Sequence, residues 1–148
     1  MKNISTVVFF TYNFPSRNDK RITQFIEKGY KVIVYSFVEK SQPQNYSIIR
    51  LGNYPRRMSY FKRLYHYSID IKREVRKFDK QTTLFYFFTL NTAVAVLFTN
   101  GIKYVYEESD MLFDRLKAGI GKSLFKNLNL KIIRNSYVTV FTSRGFAD

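Results

Sequence analysis

The chain has 148 residues, of which 45% are hydrophobic and 18% aromatic, so it can bury the core of one domain and is not of disordered composition. It has no Cys and one His, which excludes disulfides, thiolate zinc sites, cysteine nucleophiles and metal sites built from several histidines. The formal net charge of +14 predicts attraction to a polyanion, which can be nucleic acid, an anionic membrane surface or a phosphorylated ligand.

Apolar β-branched runs alternate along the chain with segments of helical periodicity. The first run is almost continuously apolar, as expected of a parallel strand that is covered on both faces. Asn18 or Asp19 is expected to cap the first helix, Gly29 to end it, and Asn91 to cap a later short helix. In chain order the predicted elements are strand 4–11, loop 12–19, helix 20–28, strand 30–38, strand 46–51, helix 59–80, strand 82–90, short helix 93–100, strand 102–107, an irregular segment 111–121, helix 122–134 and strand 137–142. This alternation predicts one α/β domain over residues 1–148, a three-layer αβα sandwich around a mostly parallel, Rossmann-like sheet.

The longest helical segment is both apolar and strongly basic. One stripe at three- and four-residue spacing is predicted to face the core, and it consists of Phe61, Leu64, Tyr65, Ser68, Ile71, Val75 and Phe78. His66 is expected to be a packing or surface residue. The other faces and the preceding linker form a candidate membrane or anion patch, Arg56, Arg57, Lys62, Arg63, Arg73, Arg76 and Lys77. Three interpretations remain open: a membrane surface, a nucleic-acid surface and a solvated helix face.

Acidic residues follow the strand predicted at 102–107. Glu107, Glu108 and Asp110 lie within four residues of one another, and Ser109 lies between the last two. Ligands of open α/β sheets bind at the carboxyl ends of the strands. A carboxylate there can orient or deprotonate a hydroxyl group. The alternative is that these acids cap a helix and solvate a loop.

Basic and polar residues surround the start of the first predicted helix. Asn13, Arg17, Lys20 and Arg21 can form an anion site there, because a helix N-terminus attracts negative charge; the alternative is an ordinary capped loop. Ser143 and Arg144 follow the last strand and are expected to face the same crevice, where Arg144 can pair with a phosphate. No Gly-x-Gly-x-x-Gly follows the first strand, which disfavours a dinucleotide-dependent oxidoreductase.

Four segments, taken together and in order, resemble a known enzyme family. They are the loop 12–16 after the first strand, the helix end and strand 27–35, the strand end 104–111, and the segment 135–146. Their order and spacing resemble the N-terminal domain of a GT-B glycosyltransferase of family 4, a class that assembles bacterial surface polysaccharides. The resemblance covers nearly the whole chain. It implies that the chain is the acceptor-side half of a hexosyltransferase. The donor-binding half, which carries a paired-glutamate motif, is missing, and the acceptor-side half is expected to be inactive alone.

Taken together, the residue patterns and the resemblance predict two catalytic residues, Asp110 and Glu108, and a set of substrate-binding residues, Asn13, Arg17, Lys20, Arg21, Asn91, Ser109, Ser143 and Arg144. Two departures stand out, because the family often has Gly-Gly where this chain has residues 17–21, and His-Asp where it has Ser109-Asp110.

The partners that the resemblance implies are a nucleotide-sugar donor held by the missing lobe, a lipid-linked or saccharide acceptor, and an anionic membrane surface. The location implied is cytoplasmic, at the inner face of the membrane. No cofactor and no metal are expected. The alternative function is a non-catalytic basic α/β module that binds nucleic acid, which is disfavoured because the chain has no helix-turn-helix, zinc or RNA-binding aromatic motif.

Overall fold

The chain folds around a six-stranded parallel sheet. The computed structural model describes residues 4–12, 16–38, 45–55, 57–108 and 119–142. The strands are β1 Thr6–Thr11, β2 Lys31–Ser36, β3 Ile48–Arg50, β4 Thr83–Phe88, β5 Lys103–Glu108 and β6 Val138–Phe141. The helices are α1 Ser16–Glu27, α2 Tyr60–Val75, α3 Leu90–Ala93, which continues as a 3-10 turn over Val94–Phe98, and α4 Ile120–Asn135.

All the neighbouring strand pairs are parallel, in the spatial order β3-β2-β1-β4-β5-β6. Val8 in the middle of β1 is opposite Ile33 of β2 and Phe85 of β4, which sets the register of the central strands. β2 and β3 are added in turn on one side of β1. The chain then crosses back, and β4, β5 and β6 are added in turn on the other side of β1. The order therefore reverses between β1 and β4, which is where ligands bind in sheets of this kind.

Two hydrophobic cores cover the two faces of the sheet. Side chains alternate between faces along each strand, so Val7 and Phe9 pack with Ile22 of α1, whereas Val8 and Phe10 pack with Ile71 of α2. Residues of α3 and α4 join the second core. We call these the α1 face and the α2 face. The prediction of a three-layer, Rossmann-like α/β sandwich is confirmed.

The buried stripe of α2 differs from the predicted one. Leu64 and Ile71 are buried as expected, and Tyr67 is buried with them, but Phe61 and Tyr65 are 61% and 64% exposed. The prediction that these two aromatic residues face the core is therefore wrong. Residues four apart on a helix form a row, and the row that contains Phe61, Tyr65 and Ile69 has turned away from the side that meets the sheet.

Several element boundaries also differ from the predictions. Helix α1 begins at Ser16, so residues 16–19 are helical and Asn18 and Asp19 lie in the first turn instead of capping it. Thr89, not Asn91, precedes α3. Gly29 follows α1 with φ 81°, as expected of a residue that ends a helix, whereas the 3-10 turn ends at Phe98 before extended Thr99 and so stops short of Gly101. No helix in the described part of the chain is long and apolar enough to cross a bilayer.

Candidate functional site

The candidate site is the crevice at the carboxyl edge of the sheet, where the strand order reverses between β1 and β4. The N-terminus of α1 follows β1, and Thr89 follows β4. Glu107 and Glu108 end β5, and Thr142 follows β6, where its backbone N–H donates to the Glu108 carbonyl at 3.3 Å. The topology therefore brings the predicted basic start of α1 and the predicted acidic end of β5 to the same edge.

Three side chains fix α1 at this edge. The Asn18 amide donates to Thr11 Oγ1 at the end of β1 at 3.0 Å, and Asp19 accepts from the Tyr46 hydroxyl just before β3. One turn further on, Arg21 Nε donates to Glu107 Oε2 at 3.4 Å. Together these contacts tie the first two turns of α1 to three separate parts of the sheet.

The three predicted cations of α1 have different surroundings. Lys20 is exposed, whereas Arg21 is half-buried against Glu107. Arg17 is half-buried, and its Nε is enclosed without a hydrogen-bond partner among the described residues. Of the three, Lys20 is the cation most accessible to a ligand, because the Arg17 Nε is closed off from solvent.

Glu107 lies on the α1 face and is 3% exposed. Its Oε2 accepts from the Tyr86 hydroxyl on the neighbouring strand as well as from Arg21. A buried carboxylate is costly unless it is hydrogen-bonded, and these two donors satisfy it. Burial, and then the charge of Glu107, raises the pKa of Tyr86 above its usual value. The Tyr86 proton is therefore held firmly in this hydrogen bond.

Glu108 points to the opposite face, because consecutive residues of a strand alternate. It is 1% exposed, and its Oε2 accepts from the Tyr106 hydroxyl, which also lies 2.8 Å from Asn129 Oδ1 of α4. Burial, and then Glu108, raises the pKa of Tyr106 above its usual value. Such an enclosed carboxyl is better suited to positioning the end of β5 than to direct contact with a substrate.

A row of polar side chains continues along the α2 face from the end of β4. The Tyr60 hydroxyl donates to Asn91 Oδ1 at 2.6 Å, so Asn91 is held at the crevice by α2. Burial raises the pKa of Tyr60 to about 12. The ring of Tyr67 lies beside that of Tyr12 after β1, with centroids 5.8 Å apart, and burial raises the pKa of Tyr67 to about 12.

Thr89 is a functional candidate that the sequence analysis missed. It has φ 70° and ψ 159°, a conformation that is essentially restricted to glycine, and a β-branched side chain there is strained by about 1–3 kcal/mol. Its N–H donates to the Glu107 carbonyl at 3.0 Å, while its Oγ1 is buried without a hydrogen-bond partner among the described residues. Strained backbone of this kind concentrates at ligand sites.

The remaining predicted site residues have different outcomes. Asn13, Ser109, Asp110, Ser143, Arg144 and Arg56 lie outside the described residues, so their roles stay predictions. Of the basic patch, Arg57, Lys62, Arg73, Arg76 and Lys77 are exposed. Arg73 pairs with Asp70 and Lys77 with Glu74, at 3.5 and 2.7 Å. Arg63 is not on the open surface, since it is half-buried with its Nε enclosed.

Within the described ranges, no three His, Cys, Asp or Glu side chains cluster in the manner of a metal site. Comparisons with protein-family models, curated proteins and solved structures found no match to this chain.

We predict that Thr89→Gly leaves the free energy of unfolding unchanged or raises it by up to about 2 kcal/mol. The substitution relieves about 1–3 kcal/mol of strain, against about 0.5–1 kcal/mol for the extra freedom of glycine in the unfolded chain. Urea unfolding followed by circular dichroism measures the change. Thr99→Gly is the control, because Thr99 has an ordinary extended backbone at φ −126°. Equal losses of stability in the two variants would refute strain at Thr89.

Proposed function

We propose that this chain is the acceptor-side half of a nucleotide-sugar-dependent glycosyltransferase of the GT-B class. The observation that carries the proposal is the crevice where the strand order reverses, with the cationic start of α1 on one side and the acidic end of β5 on the other. Exposed Lys20 and half-buried Arg17 supply positive charge at the start of α1, which suits a phosphate-bearing ligand. Asp110, two residues beyond buried Glu108, is the proposed base for the acceptor hydroxyl.

The division of roles within the acidic segment follows from burial. General base catalysis requires a carboxylate within hydrogen-bond reach of the hydroxyl it deprotonates. Glu107 and Glu108 are both engaged with tyrosines in the protein interior. We therefore assign them positioning roles at the end of β5, and keep the catalytic role for Asp110.

We further propose that the protein works at an anionic membrane surface. An exposed apolar stripe runs along α2 and continues onto the 3-10 turn after α3. It consists of Phe61, Tyr65 and Ile69 of α2 and Phe98 of the turn, which are 61%, 64%, 39% and 56% exposed. Tyr65, Ile69 and Phe98 line one shallow cavity together with Lys72. Contiguous exposed apolar surface marks an interaction site, and aromatic residues flanked by cations suit the headgroup region of a bilayer. Exposed Lys62 on the same helix and exposed Arg76 directly after it supply positive charge.

The transferase proposal predicts an acceptor-dependent reaction by the protein encoded by the entire coding sequence that contains this chain. Supplied with nucleoside-diphosphate sugars and a bacterial lipid extract, it should release nucleoside diphosphate. Asp110→Asn should lower the rate by about 10²–10⁴-fold, the usual contribution of a general base. Asp79→Asn is the matched control, because exposed Asp79 lies in the turn before β4, at the opposite edge of the sheet. The proposal fails if no second α/β lobe is encoded beyond Asp148, or if both variants lose the same activity.

The membrane proposal predicts flotation with vesicles that contain phosphatidylserine, and weaker flotation at high salt because the charge attraction is screened. Tyr65→Ser should reduce flotation because it removes aromatic surface from the exposed apolar stripe. Tyr137→Ser should not, since Tyr137 is equally exposed, at 65%, but lies beside β6 on the α1 face. Retention on duplex DNA without flotation would instead support the nucleic-acid alternative.

A further inference from the structure

A second cavity lies at the carboxyl edge of the sheet, beside the crevice and over the ends of β1, β2 and β3. Its volume is about 260 Å³. The residues that form it come from four different parts of the chain: Tyr12 after β1, Phe37 after β2, Arg50 at the end of β3 with Asn53 and Tyr54 beyond it, and Tyr67 of α2. Neither Phe37 nor Tyr54 was a predicted site residue.

Four aromatic rings line the cavity, together with Val38, Arg50, Asn53 and Pro55. The Phe37 and Tyr67 ring centroids are 4.1 Å apart, and those of Tyr54 and Tyr67 are 5.6 Å apart. Tyr12 lies 5.8 Å from Tyr67 on the side towards β1. The ring of Tyr67 thus contacts each of the other three rings, and the four rings lie beside a space that is open on one side.

Tyr54 is held in place from three directions. Its hydroxyl donates to Asp70 Oδ2 at 2.6 Å, and its ring stacks on His66 with centroids 4.9 Å apart. Gly52 approaches so closely that a Cβ there would lie 2.5 Å from the Tyr54 hydroxyl oxygen. A side chain fixed in this way loses little further freedom on binding, so the cavity wall is formed in advance of any ligand.

The open side of the cavity is polar. Arg50 and Asn53 are exposed there and carry guanidinium and amide groups. An aromatic face attracts C–H groups through its negative quadrupole, whereas amide and guanidinium groups bind hydroxyls. A pyranose ring has both properties, because its faces carry C–H groups and its rim carries hydroxyls.

We propose that this cavity binds one pyranose ring of a saccharide acceptor, with the sugar packed against Tyr54 and its hydroxyls bound by Asn53 and Arg50. The inference rests on the proposed function, since it identifies which part of the acceptor this half of the enzyme holds. The next sugar of the acceptor would then extend past Tyr12 into the crevice, towards Asn91 and the end of β5.

The test is a titration of the ¹⁵N-labelled chain with methyl glucoside, methyl galactoside, methyl glucuronide and, separately, uridine monophosphate, followed by amide chemical shifts. At least one glycoside should give saturable shifts centred on residues 37, 50, 53 and 54. Asn53→Ala should raise the Kd for that glycoside about tenfold, as expected from the loss of a hydrogen bond. Asn45→Ala, an exposed asparagine that does not line the cavity, should leave the affinity unchanged. Tyr54→Ala should abolish the shifts, whereas Tyr137→Ala, at an exposed tyrosine on the α1 face, should not.

The inference is overturned if no glycoside gives saturable shifts, if the shifts centre outside the cavity, or if only uridine monophosphate binds there. Its failure is distinguishable from failure of the transferase proposal. Glycoside binding at the cavity by a protein without transfer activity would support the saccharide site and contradict the transferase proposal. Transfer activity without glycoside binding at the cavity would support the transferase proposal and contradict the saccharide site.

Discussion

The constraint on which the rest of the structure depends is the burial of two consecutive carboxylates at the end of β5. Glu107 and Glu108 point to opposite faces of the sheet, and each needs hydrogen-bond donors because it is removed from water. On one face Tyr86 and Arg21 satisfy Glu107, which ties α1 to the centre of the sheet. On the other face the Tyr106 hydroxyl donates to Glu108 Oε2 and lies beside Asn129 of α4. Both helical layers are therefore positioned relative to the same strand end, and the crevice lies between them.

Much of the fold was predictable from the sequence, because a parallel strand covered on both faces must be apolar almost throughout, as β1 and β4 are. The side of α2 that faces the core was less predictable. Phe61 and Tyr65 fit the helical spacing as well as Leu64 and Ile71 do, and only the contacts with the sheet decide which row is buried. The start of α1 was missed because polar residues such as Asn18 also favour loops, and here Asn18 bonds to Thr11 at the end of β1.

The site was predictable only in outline. An acidic strand end and a basic helix start are visible in the sequence, and the parallel topology brings them to one edge. Three features required coordinates: the opposite orientations of Glu107 and Glu108, the strained backbone of Thr89, and the cavity beside Tyr54. Thr89 has a residue type that gives no indication of positive φ. The cavity joins rings from four separate segments, so no local pattern could have identified it.

The central claim is that tyrosine hydroxyls donate to the two buried carboxylates and so fix the edge of the sheet. The most direct test is an alkaline titration of the folded chain with ¹³C-labelled tyrosine, following the side-chain carbon that bears the hydroxyl in Tyr86 and Tyr106. Both pKa values are raised by burial and by the neighbouring carboxylate, so both residues should stay protonated through the range near pH 10 where an ordinary tyrosine ionises. The free energy of unfolding should then fall as the pH rises above about 10, because the unfolded chain releases those protons first. Ionisation of either tyrosine near pH 10 in the folded protein would contradict this account.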